Sequence, residues 1–412
     1  LRHPKRGIEL KKPLGVITRP KGFQAGGAAA GIKTTPGLLD VGLLVCDRPA
    51  SAAAVFTTNK VSAAPVQVSR EHFARSHGRV KAVVVNAGNA NACTGKHGLR
   101  DARKMAGLAA ELLDVEPARV LVASTGIIGQ PLAMDRVESG IREAARGLSA
   151  DRRGGARFAQ AIMTTDRWPK EAEASVVIAG TRVRLAGVVK GAGMIAPRMA
   201  TLLAFVTTDA AVSPALLGKL LRSSVDRSFN RITVDGHMST NDTCVALASG
   251  RSGATVRGGS RREKKFASAL DEVTLNLALD VVRDGEGAVR VATVRVEHAR
   301  SDADAELAAR AVAESPLVKT ALFGADPNWG RIVSAAGASG CAFREDRTSL
   351  RVNGHEIYRR GRPLAPSKAV ERAMTGSRVT FVLDLGLDRG SSVVYTCDMG
   401  HAYVHLNAEY HT

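Results

Sequence analysis

The stretch from Gly187 to Asp209, GVVKGAGMIAPRMATLLAFVTTD, holds the residues best suited to covalent chemistry. Apolar Val188-Val189 leads into a Lys-Gly-x-Gly-Met turn at Lys190 to Met194, and a Pro-x-Met-Ala-Thr step then enters a second apolar run. At Ala200-Thr201 a small residue precedes a hydroxyl residue, between turn and strand. If the turn presents the Ala200 carbonyl to the Thr201 hydroxyl, attack gives an ester, and its hydrolysis frees a Thr amino terminus. That amine is then a general base beside its own nucleophile, a recognised way to activate a weak hydroxyl. The plain structural reading is a strand entry with Thr as a β-former. Spacing alone does not separate the two.

Acyl transfer also needs donors for the oxyanion and groups that hold the substrate. Ser124-Thr125-Gly126 follows an apolar run and opens a turn where backbone N–H groups can point at a ligand. Read blandly, it is a strand-to-loop turn. Lys190, flanked by Gly191, can offer a compact positive charge to a carboxylate, or is a solvated turn lysine. Three tempting motifs fail on spacing. Asp235 to Asp242 lacks the ligand spacing and closing Glu of a calcium loop, and reads as a polar loop bracing the site. Gly191-x-Gly193 lacks the third Gly of a dinucleotide fingerprint, and His355-Glu356 has no second His for zinc. No cofactor and no metal is expected.

The 412 residues suffice for two lobes with real cores. A formal charge of +19 raises the question of nucleic acid or an anionic membrane, but the dense basic runs are few and aromatics are only 4% of the chain. They give bases nothing to stack on, so the charge reads as solvated faces. Cys46, Cys93, Cys244, Cys341 and Cys397 form no C-x-x-C pair, which argues for a reducing compartment, with Cys93 a buried structural thiol. No apolar run reaches the ~18 residues of a membrane span.

The apolar pattern predicts strands at Gly42 to Cys46, Ala53 to Thr57, Val80 to Asn86 and Val120 to Ser124, and helices at Asp101 to Leu113 and Asp135 to Leu148. Gly22 to Lys33 shows little strand or helix character. Ser175 to Ile178 and Val183 to Val189 read as a hairpin. The second half predicts strands at Leu202 to Thr207, Thr243 to Ala248, Val289 to Val296, Ser349 to Val352, Val379 to Leu385 and Ser392 to Cys397. Long helices are expected at Pro214 to Ser224, Arg262 to Arg283 and Asp302 to Ser315. Hairpins with helices in separate runs favour mixed sheets covered by helices, an α+β fold.

The run KGAGMIAPRMAT closely resembles the self-cleavage segment of the ornithine acetyltransferase family, whose members move acetyl from N-acetylornithine to glutamate in arginine biosynthesis. VVVNAGNANACTG at Val83, ASTGIIG at Ala123, MTTD at Met163, STNDT at Ser239, KTALFGADPNWGR at Lys319 and the final NAEYHT follow the family's order. The resemblance implies stacked mixed β-sheets sandwiched between helices, with a second smaller lobe. It implies cleavage at Ala200-Thr201 into fragments 1–200 and 201–412, and ping-pong transfer through acetyl-Thr201. Thr125 and Gly126 map onto the family's oxyanion hole. Thr164, Lys190, Thr201, Glu286, Asn407 and Thr412 map onto its substrate contacts, Glu286 as ligand for a substrate ammonium group. Read without the resemblance, Thr164 is an N-cap for the segment after Trp168 and Glu286 a solvated loop acid.

The implied substrates and products are N-acetylornithine, ornithine, glutamate and N-acetylglutamate, with acetyl-CoA left open as a co-substrate. The implied assembly is a cytoplasmic heterotetramer of two alpha and two beta fragments, or larger, without nucleic acid or membrane. His237 stands where many relatives carry an acid, and His411 where Arg is usual, so at these two positions the chain departs from the family pattern. The alternatives are a self-processed aminopeptidase or amidase of related fold, with water as acceptor, and a basic nucleic-acid-binding protein.

Overall fold

The computed structural model describes residues 14–196, 202–365 and 367–409. They fall into two compact units: the first takes in residues 14–191, 202–224 and 240–277, the second 192–196, 225–239 and 278–409. In chain order the elements are β1 (Phe23–Ala28), β2 (Val41–Phe56), α1 (Ala64–Arg75), β3 (Arg79–Asn89), α2 (Gly95–Leu112), β4 (Val120–Ile127), α3 (Met134–Arg146) and α4 (Arg152–Ala161). Next come β5 (Lys170–Ile178), β6 (Thr181–Lys190), β7 (Leu203–Thr208), α5 (Pro214–Arg227), β8 (Ile232–Thr233), β9 (Thr243–Ala248) and α6 (Arg261–Arg283). The chain continues through β10 (Val291–Ala299), α7 (Asp302–Glu314), α8 (Pro316–Phe323), α9 (Trp329–Gly337), β11 (Ser349–Val352) and β12 (His355–Arg359). It finishes with β13 (Arg362–Pro363), α10 (Lys368–Met374), β14 (Arg378–Asp384), β15 (Gly390–Cys397) and α11 (His401–Glu409).

Among the described residues, the first unit is built on a sheet ordered β4-β3-β2-β9-β7-β6-β5, with β1 paired to β2. The β3–β4 and β7–β9 pairs are parallel and the others antiparallel. Alternate residues of a strand face opposite sides. In β2, Val41, Leu43 and Val45 join Met105, Ala106 and Ala109 of α2 and Val137 and Ile141 of α3. Leu44 and Cys46 join Phe158 and Ala159 of α4. Both faces are therefore covered, which is why these strands are continuous apolar runs. Phe158 meets Phe205 edge-on, ring centroids 5.4 Å apart.

The second unit holds a mixed sheet ordered β13-β12-β11-β14-β10-β15-β8. Here burial alternates: Val379, Phe381 and Leu383 of β14 are buried between less buried neighbours. The buried set shares its core with Ala305, Ala308, Ala309 and Val312 of α7. Ser301 starts α7 by accepting a hydrogen bond from the Asp304 N–H. The α+β class with mixed sheets is as expected.

Three expectations change. The strands predicted at Gly42 to Cys46 and Ala53 to Thr57 are one strand, β2, whose ladder to β3 shifts register between Val45 and Ala50. That irregularity accommodates Pro49, which has no N–H for a ladder. The segment Gly22 to Lys33 contains β1. A Cβ at Gly26 would lie 2.4 Å from the Ala144 carbonyl oxygen, and one at Gly27 2.6 Å from that of Arg157. The glycines that hide this strand are what lets α3 and α4 close on it. Cys93 is exposed, not buried, with φ 57°.

Candidate active site

In the first unit the parallel ladder of β3 and β4 pairs Asn86 with Ser124, Ala87 with Thr125 and Gly88 with Gly126. Gly126 has φ 129°, and a Cβ there would stand 2.3 Å from the Gly88 carbonyl carbon, so only glycine fits this strand end. Asparagines tie down the surrounding turns. The Asn241 amide donates to the carbonyls of Ala90 (2.6 Å) and Ser124 (2.8 Å). The Asn86 amide donates to the Asn89 carbonyl, and the Asn89 amide to those of Gln130 and Pro131. The NAGNANACTG and STNDT motifs thus hold the end of β4; Ser124-Thr125-Gly126 lies within that strand and does not open a turn, because its backbone is paired to β3 through Gly126.

Lys190, the last residue of β6, donates from Nζ to Thr125 Oγ1 at 2.8 Å. It is no solvated turn lysine. A hydroxyl that accepts from an ammonium has its own O–H polarised as a donor, which suits Thr125 to a developing oxyanion. Asp166 closes the MTTD motif, and its task was not legible there. Its carboxylate accepts from the Gly191 N–H (2.8 Å) and the Thr164 N–H (2.9 Å), and pairs with Lys170, both side chains fully buried. Burial alone would push the Asp166 carboxyl up; the Lys170 and Lys190 ammoniums, with the hydrogen bonds from Lys170 and the Thr164 N–H, outweigh it and hold the group well below the usual carboxylate range. The signal in the sequence is Asp-x-x-x-Lys. Thr164 is not an N-cap, because the segment after Trp168 is β5.

In the second unit Glu286 follows α6, and its N–H donates to the Ala192 carbonyl at 2.9 Å. The Asn407 amide of α11 donates to Glu286 Oε2 at 2.9 Å and to the Tyr403 carbonyl at 3.0 Å. Glu286 and Asn407 are thus brought together. Asp235 in the same unit accepts from the Met194 N–H (2.6 Å), the Ile195 N–H (2.8 Å) and the Tyr403 hydroxyl (3.4 Å). Val234 donates from its N–H to the Ile195 carbonyl at 2.7 Å. Burial first, then the Asp235 and Glu286 carboxylates, raise the Tyr403 pKa, so the phenol stays protonated. Within the second unit Asp235 thus holds the Met194-Ile195 backbone, and within the first unit Asn241 holds the Ser124 carbonyl. Lys319, from KTALFGADPNWGR, is buried and donates to Thr396 Oγ1 (2.9 Å) and the Cys397 carbonyl. That motif serves the second unit's core.

The expectations for Ala200, Thr201, His411 and Thr412 fall outside the described residues. Among the described residues no cluster of three or more His, Cys, Asp or Glu side chains could hold a metal ion, and no helix is long and apolar enough to cross a membrane.

The ArgJ family matches residues 24–412. The chain is 48% identical over 401 residues to the arginine biosynthesis bifunctional protein ArgJ of Symbiobacterium thermophilum, covering 97% of this chain and 99% of that protein. It is 47% identical over 396 residues to the protein of the same name in Geobacter sulfurreducens, covering 95% of this chain and 99% of that one. Among solved structures, the Mycobacterium tuberculosis ornithine acetyltransferase complexed with ornithine is similar at 36% identity and a TM-score of 0.40, over 47% of this chain and 98% of that one. The chain belongs to the ArgJ family, the ornithine acetyltransferase family that its motifs resemble.

Proposed function

We propose that this enzyme transfers acetyl from N-acetylornithine to glutamate in the cytoplasmic arginine pathway, through an acetyl ester on Thr201. Thr201 Oγ first attacks the Ala200 carbonyl; the peptide C–N bond breaks as an ester forms, and water hydrolyses that ester to leave the Ala200 carboxylate and a free Thr201 amine. The amine takes the Thr201 hydroxyl proton as Oγ attacks the acetyl carbonyl. Thr125 O–H and Gly126 N–H stabilise the oxyanion, and ornithine leaves with the proton returned by the Thr201 ammonium. The glutamate amine then attacks the ester, and the same amine carries the proton back to Thr201. Lys190, Thr164, Glu286, Asn407 and Thr412 hold the amino acids. No cofactor enters; acetyl-CoA would act only as a second donor to the same ester. The fragments 1–200 and 201–412 would stay associated, two of each or more.

The observation that carries this reading is the hydrogen bond from Lys190 Nζ to Thr125 Oγ1 at the glycine-bounded strand end. It supports the reading because it polarises the Thr125 O–H as a donor, the kind of group that acyl transfer needs for its oxyanion. The reading is tested by incubating the enzyme with N-acetylornithine and glutamate and following N-acetylglutamate and ornithine by chromatography. Stoichiometric formation of both, with parallel-line kinetics, is expected. Acetate release without any need for glutamate would replace the reading with an amidase or aminopeptidase. Thr125→Ala is expected to lower kcat by roughly 100- to 1000-fold, with KM for N-acetylornithine little changed. An unaltered kcat would remove Thr125 from the oxyanion site.

A further inference from the structure

The proposed transfer poses a recognition problem, because the donor's side chain ends in an ammonium and the acceptor's in a carboxylate. Glu286 suits only the first. We propose that Lys33 receives the side-chain carboxylate of the acetyl acceptor and so determines specificity in the second half of the reaction; this rests on the acetyl-transfer reading above.

Lys33 sits on a built loop in the first unit. Fully buried Asp40 accepts from the N–H groups of Ala30 (2.7 Å), Ile32 (2.6 Å) and Lys33 (3.1 Å), which fixes the backbone. Arg136 donates to the Gly31 carbonyl at 2.7 Å and holds the other side of the turn. A Cβ at Gly88 would lie 3.2 Å from Lys33 Cγ. Gly88 is the ladder partner of Gly126. The lysine stem therefore packs against Gly88 of β3, whose ladder partner Gly126 follows Thr125 in β4.

The charge on Lys33 is poised. Among the described residues Nζ donates to the Leu39 carbonyl at 2.5 Å and forms no ion pair, and an ammonium has three N–H groups to give. The charged groups facing it are Asp40, Asp166 and Lys190. Burial lowers its pKa most, the two carboxylates raise it and Lys190 lowers it further, leaving it at about 8. At neutral pH it is mostly protonated and attracts an incoming carboxylate, which would supply a direct ion-pair partner. It also neutralises more readily than an ordinary lysine, so it does not bar the ornithine ammonium as a fixed cation would.

The two half-reactions separate this role from a structural one. In Lys33→Met the KM for glutamate is expected to rise at least about tenfold, while the burst of ornithine released from N-acetylornithine without glutamate stays within about threefold. Lys33→Arg keeps a cation that titrates far higher. Its glutamate kcat/KM, divided by that of the wild type, is expected to climb as pH rises through about 8, because the Thr201 amine and the glutamate amine cancel in the ratio. Equal losses in both half-reactions, an unchanged glutamate KM in Lys33→Met, or a flat ratio would overturn the proposal. Failure of the wild type to transfer acetyl at all would instead overturn the acetyl-transfer reading.

Discussion

Thr201→Ala is expected to remain a single uncut chain and to lose acetyl transfer by roughly three orders of magnitude or more. What survives loss of a nucleophile comes only from binding and the oxyanion donors. The substitution removes the side chain that would cut the chain and carry the acetyl group, and it leaves the amine of residue 201 locked in a peptide bond. The segment before this bond is held at defined points: Gly191 on Asp166 in the first unit, and Met194 and Ile195 on Asp235 in the second. Folding should therefore survive, and far-UV circular dichroism of the mutant should match the wild type. Thr201→Ser keeps hydroxyl and amine, and is expected to retain cleavage and part of the transfer rate. Wild-type transfer by Thr201→Ala, measured as N-acetylglutamate formed, would sink the mechanism.

Lys170→Met is expected to give the largest loss of stability, about 3–5 kcal/mol, because it strands the Asp166 carboxylate where no water reaches it. Asp166→Asn/Lys170→Met, which removes both charges, should recover a substantial part, as urea denaturation would register. The pH dependence has a definite sign. In the wild type the Asp166 pKa is depressed, so its stabilisation is fully present above the unfolded value of about 3.9 and is lost only as pH falls through the lower folded value. In Lys170→Met burial loses its main counterweight and the carboxyl titrates higher, so the mutant loses stability as pH rises. The gap between the two proteins should narrow on acidification from pH 8 to pH 4. A gap independent of pH would mean that the pair contributes through packing alone.

The strands β4, β6, β7, β9 and β14 were legible because apolar residues there outnumber any competing signal. β1 was not, since Gly26 and Gly27 carry no side chain to vote for a strand, and the reason for them lies on two helices more than a hundred residues away. α4 and α9 are short, and their starts rest on caps: Asp151 accepting from Arg153 and Gly154, and Asn328 accepting from Arg331. The site shows the same division. Thr125, Gly126, Lys190, Glu286 and Asn407 were named through the family's motifs, and their hydrogen bonds bring them together as Thr125–Lys190 and Glu286–Asn407. Asp166 and Asp235 lie within motifs whose sequence shows no individual task for either, because their task is to accept from backbone N–H groups of a distant turn. No spacing rule encodes that partnership.

The central claim is that acetyl resides on Thr201 between donor and acceptor. Denaturing mass spectrometry of the enzyme incubated with N-acetylornithine alone tests it most directly. The account requires a fragment that begins at Thr201 and carries one acetyl group, which disappears as N-acetylglutamate forms when glutamate is added. An uncut chain, or an acetyl group on any other residue that glutamate removes at the catalytic rate, would contradict it.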